Sequence, residues 1–368
     1  MIGAVLKAID NLTGRGDAAV TVPALDGALR PNRRLDEAKT RRPLPGVDSL
    51  AFLFGAPVAS AGNTLHRLAD GTAWQPWRKF DGRIACIANI ADRGADEGLA
   101  VVLDTGDILI EGGSSEGRFY RVPEGLRCVT AIAISPTAIF LANGSATNPA
   151  PDWQLDLMQR NASGSIWRID RDSGKSRRLC DGLAWPAGLA LDGDTIVFSE
   201  AWKHRLARLP LNGGEPVAVH SDLPGYPGRL APAEDGGAWL AIFAPRSQLI
   251  EFVLREPAYK ARMIAEVPRQ YWIAPSLRTG RSFYEPLQGG SVKQLGLLKP
   301  WAPTLSAGLC ARLDRGFQPT ASLHSRADGA THGVTDMAEH QGRVFIAASG
   351  DGVVVACDAG TVEEGSPR

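Results

Sequence analysis

The chain repeats one unit: a small-residue turn, an apolar strand, a Gly/Asp turn, a second apolar strand, then a third strand carrying aromatic and basic residues. Gly188-Leu189-Ala190-Leu191, Asp192-Gly193-Asp194, Thr195-Ile196-Val197-Phe198-Ser199-Glu200 and Arg205-Leu206-Ala207-Arg208-Leu209 spell it out in order. The stretches from Asp96, Val129 and His332 follow the same order. The runs Gly98–Leu103, Ala131–Ile134, Thr195–Phe198 and Arg343–Ala348 are short, β-rich and bounded by Gly, Asp or Pro, which is how strands read. The units recur at about 30 to 60 residues, the spacing of propeller blades. One such unit cannot bury both its faces, so several must pack radially about an axis. The expectation is an all-β fold with blades starting near Asp48, Glu97, Thr130, Ala187, Arg229 and Thr335.

The gap between the last two starts is long. Residues 256–304 hold Pro257, Pro268, Pro275, Pro286, Pro300, Pro303 and several aromatics, too irregular for a blade and too apolar for a disordered linker. They read as a loop and helix insertion over one end of the propeller, a lid whose Tyr271, Trp272, Phe283 and Tyr284 face the axial opening and whose Trp301 anchors the return. Residues 1–40 read as a leader and closing segment, beginning with a short surface helix, and residues 41–368 as the propeller.

Charge and motif content narrow the function classes. The 40 basic and 40 acidic residues cancel, which argues against a sequence-independent nucleic-acid binder. No apolar run reaches the roughly 18 residues that span a bilayer, so no membrane partner is expected. Cys86, Cys128, Cys180, Cys310 and Cys357 are scattered, with no CxxC pair, which favours reduced thiols in a cytoplasm over a zinc site. There is no P-loop, dinucleotide fingerprint, GxSxG elbow or HExxH. Asn143-Gly144-Ser145 and Asn161-Ala162-Ser163 match the glycosylation pattern and are discounted for want of a secretion signal.

Several segments resemble the strictosidine synthase-like group. They are Ser163-Gly164-Ser165-Ile166-Trp167-Arg168-Ile169-Asp170 running on to Asp181-Gly182-Leu183-Ala184-Trp185-Pro186, then Ser199-Glu200-Ala201-Trp202-Lys203-His204-Arg205, Leu223-Pro224-Gly225-Tyr226-Pro227, Gly236-Gly237-Ala238-Trp239 and Glu339-His340-Gln341-Gly342-Arg343. They fall in the family's order over about residues 95–358. The resemblance implies a six-bladed β-propeller related to gluconolactonases, arylesterases and a plant condensing enzyme. It also locates departures. The lactonase-type relatives bind calcium with oxygen side chains at the inner starts of the blades. Where they carry Pro-Asn-Gly this chain has Pro186-Ala187-Gly188, where they carry Tyr-Pro-Asp-Asn it has Tyr226-Pro227-Gly228-Arg229, and a common Asn corresponds to Thr130. Calcium takes about six to eight oxygens, so the expectation is no metal and no cofactor. The condensing enzyme's glutamate corresponds to Thr335. A one-residue slip would bring up Asp336, which strict alternation points the other way.

The candidate catalytic residues are Arg229, to stabilise negative charge, with His332 or Glu97 to move protons. Against these stand a surface-turn arginine, a turn histidine and a solvated carboxylate. Asp48, Thr130, Trp185, Tyr226, Trp272 and Thr335 are the candidate substrate contacts, the aromatics being blade-packing anchors otherwise. Glu200 reads as structural. The function expected is a metal-independent hydrolase or lyase acting on a small, anionic molecule at a carbonyl-type carbon. The alternatives are a calcium lactonase with divergent ligands and a non-catalytic binding propeller.

Overall fold

The computed structural model describes residues 22–69, 71–91, 97–282, 284–286, 293–294, 297–298 and 304–360. Six four-stranded antiparallel sheets form the blades. Their innermost strands, taken as blades 1 to 6, are Val47–Leu53, Ile84–Ala91, Val129–Ile134, Pro186–Asp192, Gly225–Pro232 and Val334–His340. Each inner strand packs against the next, and that of blade 6 against that of blade 1, so the ring closes. Thr40–Pro43 supplies the outer strand of blade 6 by pairing with Val353–Asp358, joining the two ends of the chain in one sheet. The six-bladed expectation is met. The proposed helix at the N-terminus lies outside the described residues.

Blades are buried on both faces, which is why their second strands are continuous apolar runs instead of alternating ones. All six residues of Ala138–Asn143 in blade 3 are buried. Val102 and Ile110 of blade 2 share one apolar cluster with Ile139 and Leu141 of blade 3. Such interblade contacts repeat around the ring and supply the hydrophobic stabilisation.

One expected boundary moves. Blade 2 begins at Ile84, and Glu97 opens its second strand, Glu97–Leu103, opposite Ala91. The inner strand runs from Ile84 to Ala91, so Glu97 stands at the end of the ring away from the blade entrances. The insertion falls inside one blade. It interrupts blade 5 between its second strand, Ala238–Pro245, and its third, Gly308–Leu313. It contains the helices Gln248–Val253 and Pro257–Glu266. A shorter excursion with the helix Trp153–Met158 interrupts blade 3 at the same point. A link from second to third strand emerges where the inner strands begin, so both excursions rise over the blade entrances.

The inner strands crowd at this end. A Cβ on Gly188 of blade 4 would lie 2.4 Å from the carbonyl oxygen of Gly228 and 2.8 Å from the Cα of Arg229 in blade 5. Gly188→Ala must therefore push two blades apart. Its expected cost is about 1 to 3 kcal/mol, the range for overpacking, read as a lower urea midpoint at unchanged slope.

Candidate functional site

Every inner strand carries a register shift within its first few residues. The residues left between paired positions are Asp48-Ser49, Ala85, Thr130, Ala187, Gly228-Arg229 and Thr335. A bulge leaves its extra residue unpaired and re-aims its groups. Six bulges at one end thus turn backbone carbonyls toward the axis.

Arg229 collects them. Its Nε donates to the Thr130 carbonyl at 3.1 Å, Nη1 to the Asp48 carbonyl at 2.9 Å, and Nη2 to the Ala85 carbonyl and to Asp48 Oδ2, each at 2.9 Å. Four of the five guanidinium N–H groups are so committed. Thr335 Oγ1 donates to the Asp48 carbonyl at 2.8 Å, and Thr130 Oγ1 to the Pro186 carbonyl at 2.6 Å. Arg229 lies on the axis as expected, but most of its donors already serve the chain. Calcium does not fit here, because the oxygens converging on the axis accept from a cation that the chain itself provides.

Arg229 divides the axial channel. Beyond it, away from the entrances, a cavity of about 440 Å³ is lined by aliphatic residues such as Ile87, Leu189 and Leu230. Asp336 stands at this boundary, buried, accepting from Ser49 Oγ at 2.5 Å and from the backbone N–H groups of Leu50 and Met337 at 3.0 and 2.8 Å. Burial pushes its carboxyl up to about 6, against the Arg229 charge and these hydrogen bonds. Strict alternation pointed Asp336 away from the axis. The bulge at Thr335 breaks that alternation, so Thr335 and Asp336 line the two halves of the channel.

At the entrance side lies a pocket of about 220 Å³. Asp48, Thr130, Thr335 and Arg83 line one part of it, and Trp153, Trp185 and Phe243 another. Trp185 stacks on Trp202 at 5.1 Å, Trp202 stacks on Trp153 at 6.3 Å, and Phe243 meets Trp153 edge-on at 5.4 Å. Trp202 is fixed by its Nε1–H, which donates to the buried Asp156 at 2.8 Å. Trp185 adopts φ +57°, which costs a non-glycine residue of order 1–3 kcal/mol and is sustained by the surrounding packing. Tyr226 is fully buried behind this wall and does not reach the pocket.

His332 stands at the entrance end but lines neither axial cavity. It is buried. Its Nε2 donates to the Arg326 carbonyl at 2.7 Å, which fixes the tautomer, and Nδ1 accepts from Ser306 Oγ at 2.9 Å. Burial and then Arg278 pull its pKa down to about 4. Both ring nitrogens are occupied, so the geometry gives His332 a structural part. Trp272 packs within the insertion, its Nε1–H on the Val267 carbonyl, and faces a separate cavity there. Tyr271 and Tyr284 contact each other, while Phe283 and Trp301 lie outside the described residues. The insertion reaches the axial pocket through Leu277 instead. Glu200 is buried and holds the Ala184 N–H, Lys203 and Arg205, a structural role as read. Asn143 is buried, and the Asn161 amide donates to Ser145, Thr147 and Asp156, so both glycosylation tripeptides are engaged within the fold.

A ring of six blades with a bulge-built axial pocket defines the class: a six-bladed β-propeller. Comparison with known proteins agrees. Strictosidine synthase-like 13 of Arabidopsis thaliana is 32% identical over 125 residues, 33% of this chain and 31% of that protein. Human adipocyte plasma membrane-associated protein is 22% identical over 275 residues, 66% of this chain and 65% of that one. The match thus spans about a third of the first relative's length and just under two thirds of the second's. A solved propeller carrying a provisional gluconolactonase name superposes with a TM-score of 0.50 at 10% identity, over 86% of this chain and 91% of that one, a likeness of fold. No family model matches the chain. Its likenesses lie with the strictosidine synthase-like and gluconolactonase-like propellers.

Breaking the axial ion pair from one side strands a charge. Arg229→Met leaves Asp48 Oδ2 and the Ala85 and Thr130 carbonyls without this donor, and the buried Asp336 without its neighbouring positive charge. The expected loss is about 3 to 5 kcal/mol of unfolding free energy, measured by urea denaturation.

Proposed function

We propose that the chain is a small-molecule enzyme that hydrolyses, or adds a nucleophile to, a carbonyl-type carbon in the entrance pocket, without a metal ion. The observation that carries this reading is Asp48. Among the described residues it is the carboxylate lining that pocket, about a third exposed there, with Oδ2 held by Arg229. Arg229 is then a positioning residue that fixes the carboxylate against the axis.

In hydrolysis Asp48 takes a proton from water as the water oxygen bonds to the carbonyl carbon, and the C=O π pair moves onto the carbonyl oxygen. Collapse of the adduct returns that pair and expels the leaving oxygen, which takes the proton from Asp48. In addition chemistry the adduct persists, and the proton passes from Asp48 to its oxygen. Trp153, Trp185 and Phe243 keep the reacting carbon in a largely apolar setting. The metal-independent part of the reading rests on the Arg229 guanidinium standing where the oxygens converge. The five cysteines are unpaired, in keeping with a reducing, cytoplasmic setting. Among the described residues no helix is long and apolar enough to cross a membrane.

The test is turnover of a panel of lactones and esters. Asp48→Asn should lower kcat/KM by about 10² to 10⁴ for whichever substrate the wild type accepts. EDTA should leave the wild-type rate unchanged. Activity that needs added calcium, or that survives Asp48→Asn intact, would overturn the proposal.

A further inference from the structure

The entrance pocket is divided by blade. Blades 3, 4 and 5 contribute Trp153, Trp185 and Phe243, with Trp202 behind them. Blades 6, 1 and 2 contribute Thr335, Asp48 and Arg83. The aromatic side chains thus come from one run of three blades and Thr335, Asp48 and Arg83 from the other, while Thr130 of blade 3 and Arg229 of blade 5 add polar groups at the axis.

The polar wall has one charge to spare. Arg229 is shared between Asp48 on the pocket side and Asp336 behind it. The hydroxyl hydrogens of Thr130 and Thr335 point into the chain, at the Pro186 and Asp48 carbonyls. Arg83 differs. Its backbone is fixed by Asp104, whose Oδ1 accepts from the Arg83 N–H at 2.9 Å and whose N–H donates to the Arg83 carbonyl at 2.9 Å. Arg83 is exposed and lines the pocket, and its guanidinium has no hydrogen-bond or ion-pair partner among the described residues. An anchored backbone with an uncommitted planar fork is suited to a carboxylate, which accepts two parallel N–H groups.

We infer that this pocket takes a planar, conjugated carboxylate, its ring system against Trp153, Trp185 and Phe243 and its anionic group on Arg83. The inference rests on reading the pocket as the substrate site and adds the class of molecule that fits it. A stack of rings already locked together offers a flat face at little ordering cost. An ammonium group on the same ring system would meet Arg83 as a like charge and lose affinity. The carboxylate end lies on the same wall as Asp48, which brings the substituted edge of the ring, not its far side, to the catalytic carboxylate.

Calorimetry on the full-length protein with three probes of one shape tests this: 2-naphthoate, naphthalene and 2-naphthylmethylammonium. The carboxylate should bind at least about tenfold more tightly than the ammonium, with naphthalene between them. Arg83→Gln should lower 2-naphthoate affinity about tenfold, leave naphthalene unchanged and keep the wild-type melting temperature. Trp153→Ala should weaken all three alike. Asp48→Asn should still bind 2-naphthoate, so that a failure of the catalytic reading and a failure of this one give different results. Equal binding of the ammonium and the carboxylate, an Arg83→Gln variant that binds 2-naphthoate normally, or no binding of any probe would each overturn the inference.

Discussion

A single guanidinium satisfies the backbone at the centre of this ring. The inner strand of every blade has one edge without a strand partner, and that edge faces the axis. Bulges at the entrance release further carbonyls, and buried carbonyls left unpaired are costly. Arg229 answers for three of them, on blades 1, 2 and 3, from its own place on blade 5. Its charge then needs a partner, which Asp48 supplies, and the carboxylate of the pocket is thereby placed. The same economy extends further along the channel. Asp336 takes the Leu50 N–H, Ser49 Oγ the Ile87 N–H, and Asn89 the Phe52 N–H. Side chains from one blade thus act as the missing strand for the next.

Much of this was legible in the sequence because five of the six blade entrances combine a small or turn-forming residue with the start of an apolar strand. Asp48, Thr130, Ala187, Arg229 and Thr335 were read correctly as inner starts, and all five occupy bulges. The sixth, Ala85, was missed. Ile84–Ala91 is nearly all apolar, and the stronger turn signal of Asp96-Glu97-Gly98 drew the blade start to what is the entrance of a second strand. Asp336 is named in the sequence reading but turned away from the axis, for a different reason. A period of two assumes an unbroken ladder, and one extra residue at Thr335 turns the next side chain back to the axis. The bulge belongs to how six strands meet, and nothing local to Thr335-Asp336 announces it.

Residue chemistry misled where burial decides. His332 beside a glycine, at the start of the last blade, has the composition of an acid–base site, yet two hydrogen bonds and full burial leave it neutral and occupied. Arg83 carries no such signal. It follows the turn pair Asp81-Gly82, and it matters only because the fold brings it into one pocket with three aromatic residues. The insertion behaves similarly. Its proline and aromatic content was visible, but Trp272 packs within it, and among its described residues Leu277 is the one that reaches the pocket.

The aromatic wall shows why the pocket is set before any ligand arrives. Trp185 is held in a left-handed backbone conformation, which nothing in its own side chain favours. It stays there because its ring is pressed between neighbours. Trp202 stacks on it, and Gly144 sits so close that a Cβ would lie 3.1 Å from the ring and 2.9 Å from the Thr130 methyl. Trp202 is in turn tied to Asp156, which also accepts from Asn148 and Asn161 in the loop of blade 3. The wall is therefore braced by hydrogen bonds on its far side and by close packing at its edge. A surface braced in this way loses little conformational freedom when it is covered, and what would have been the ordering cost of binding has been met in folding.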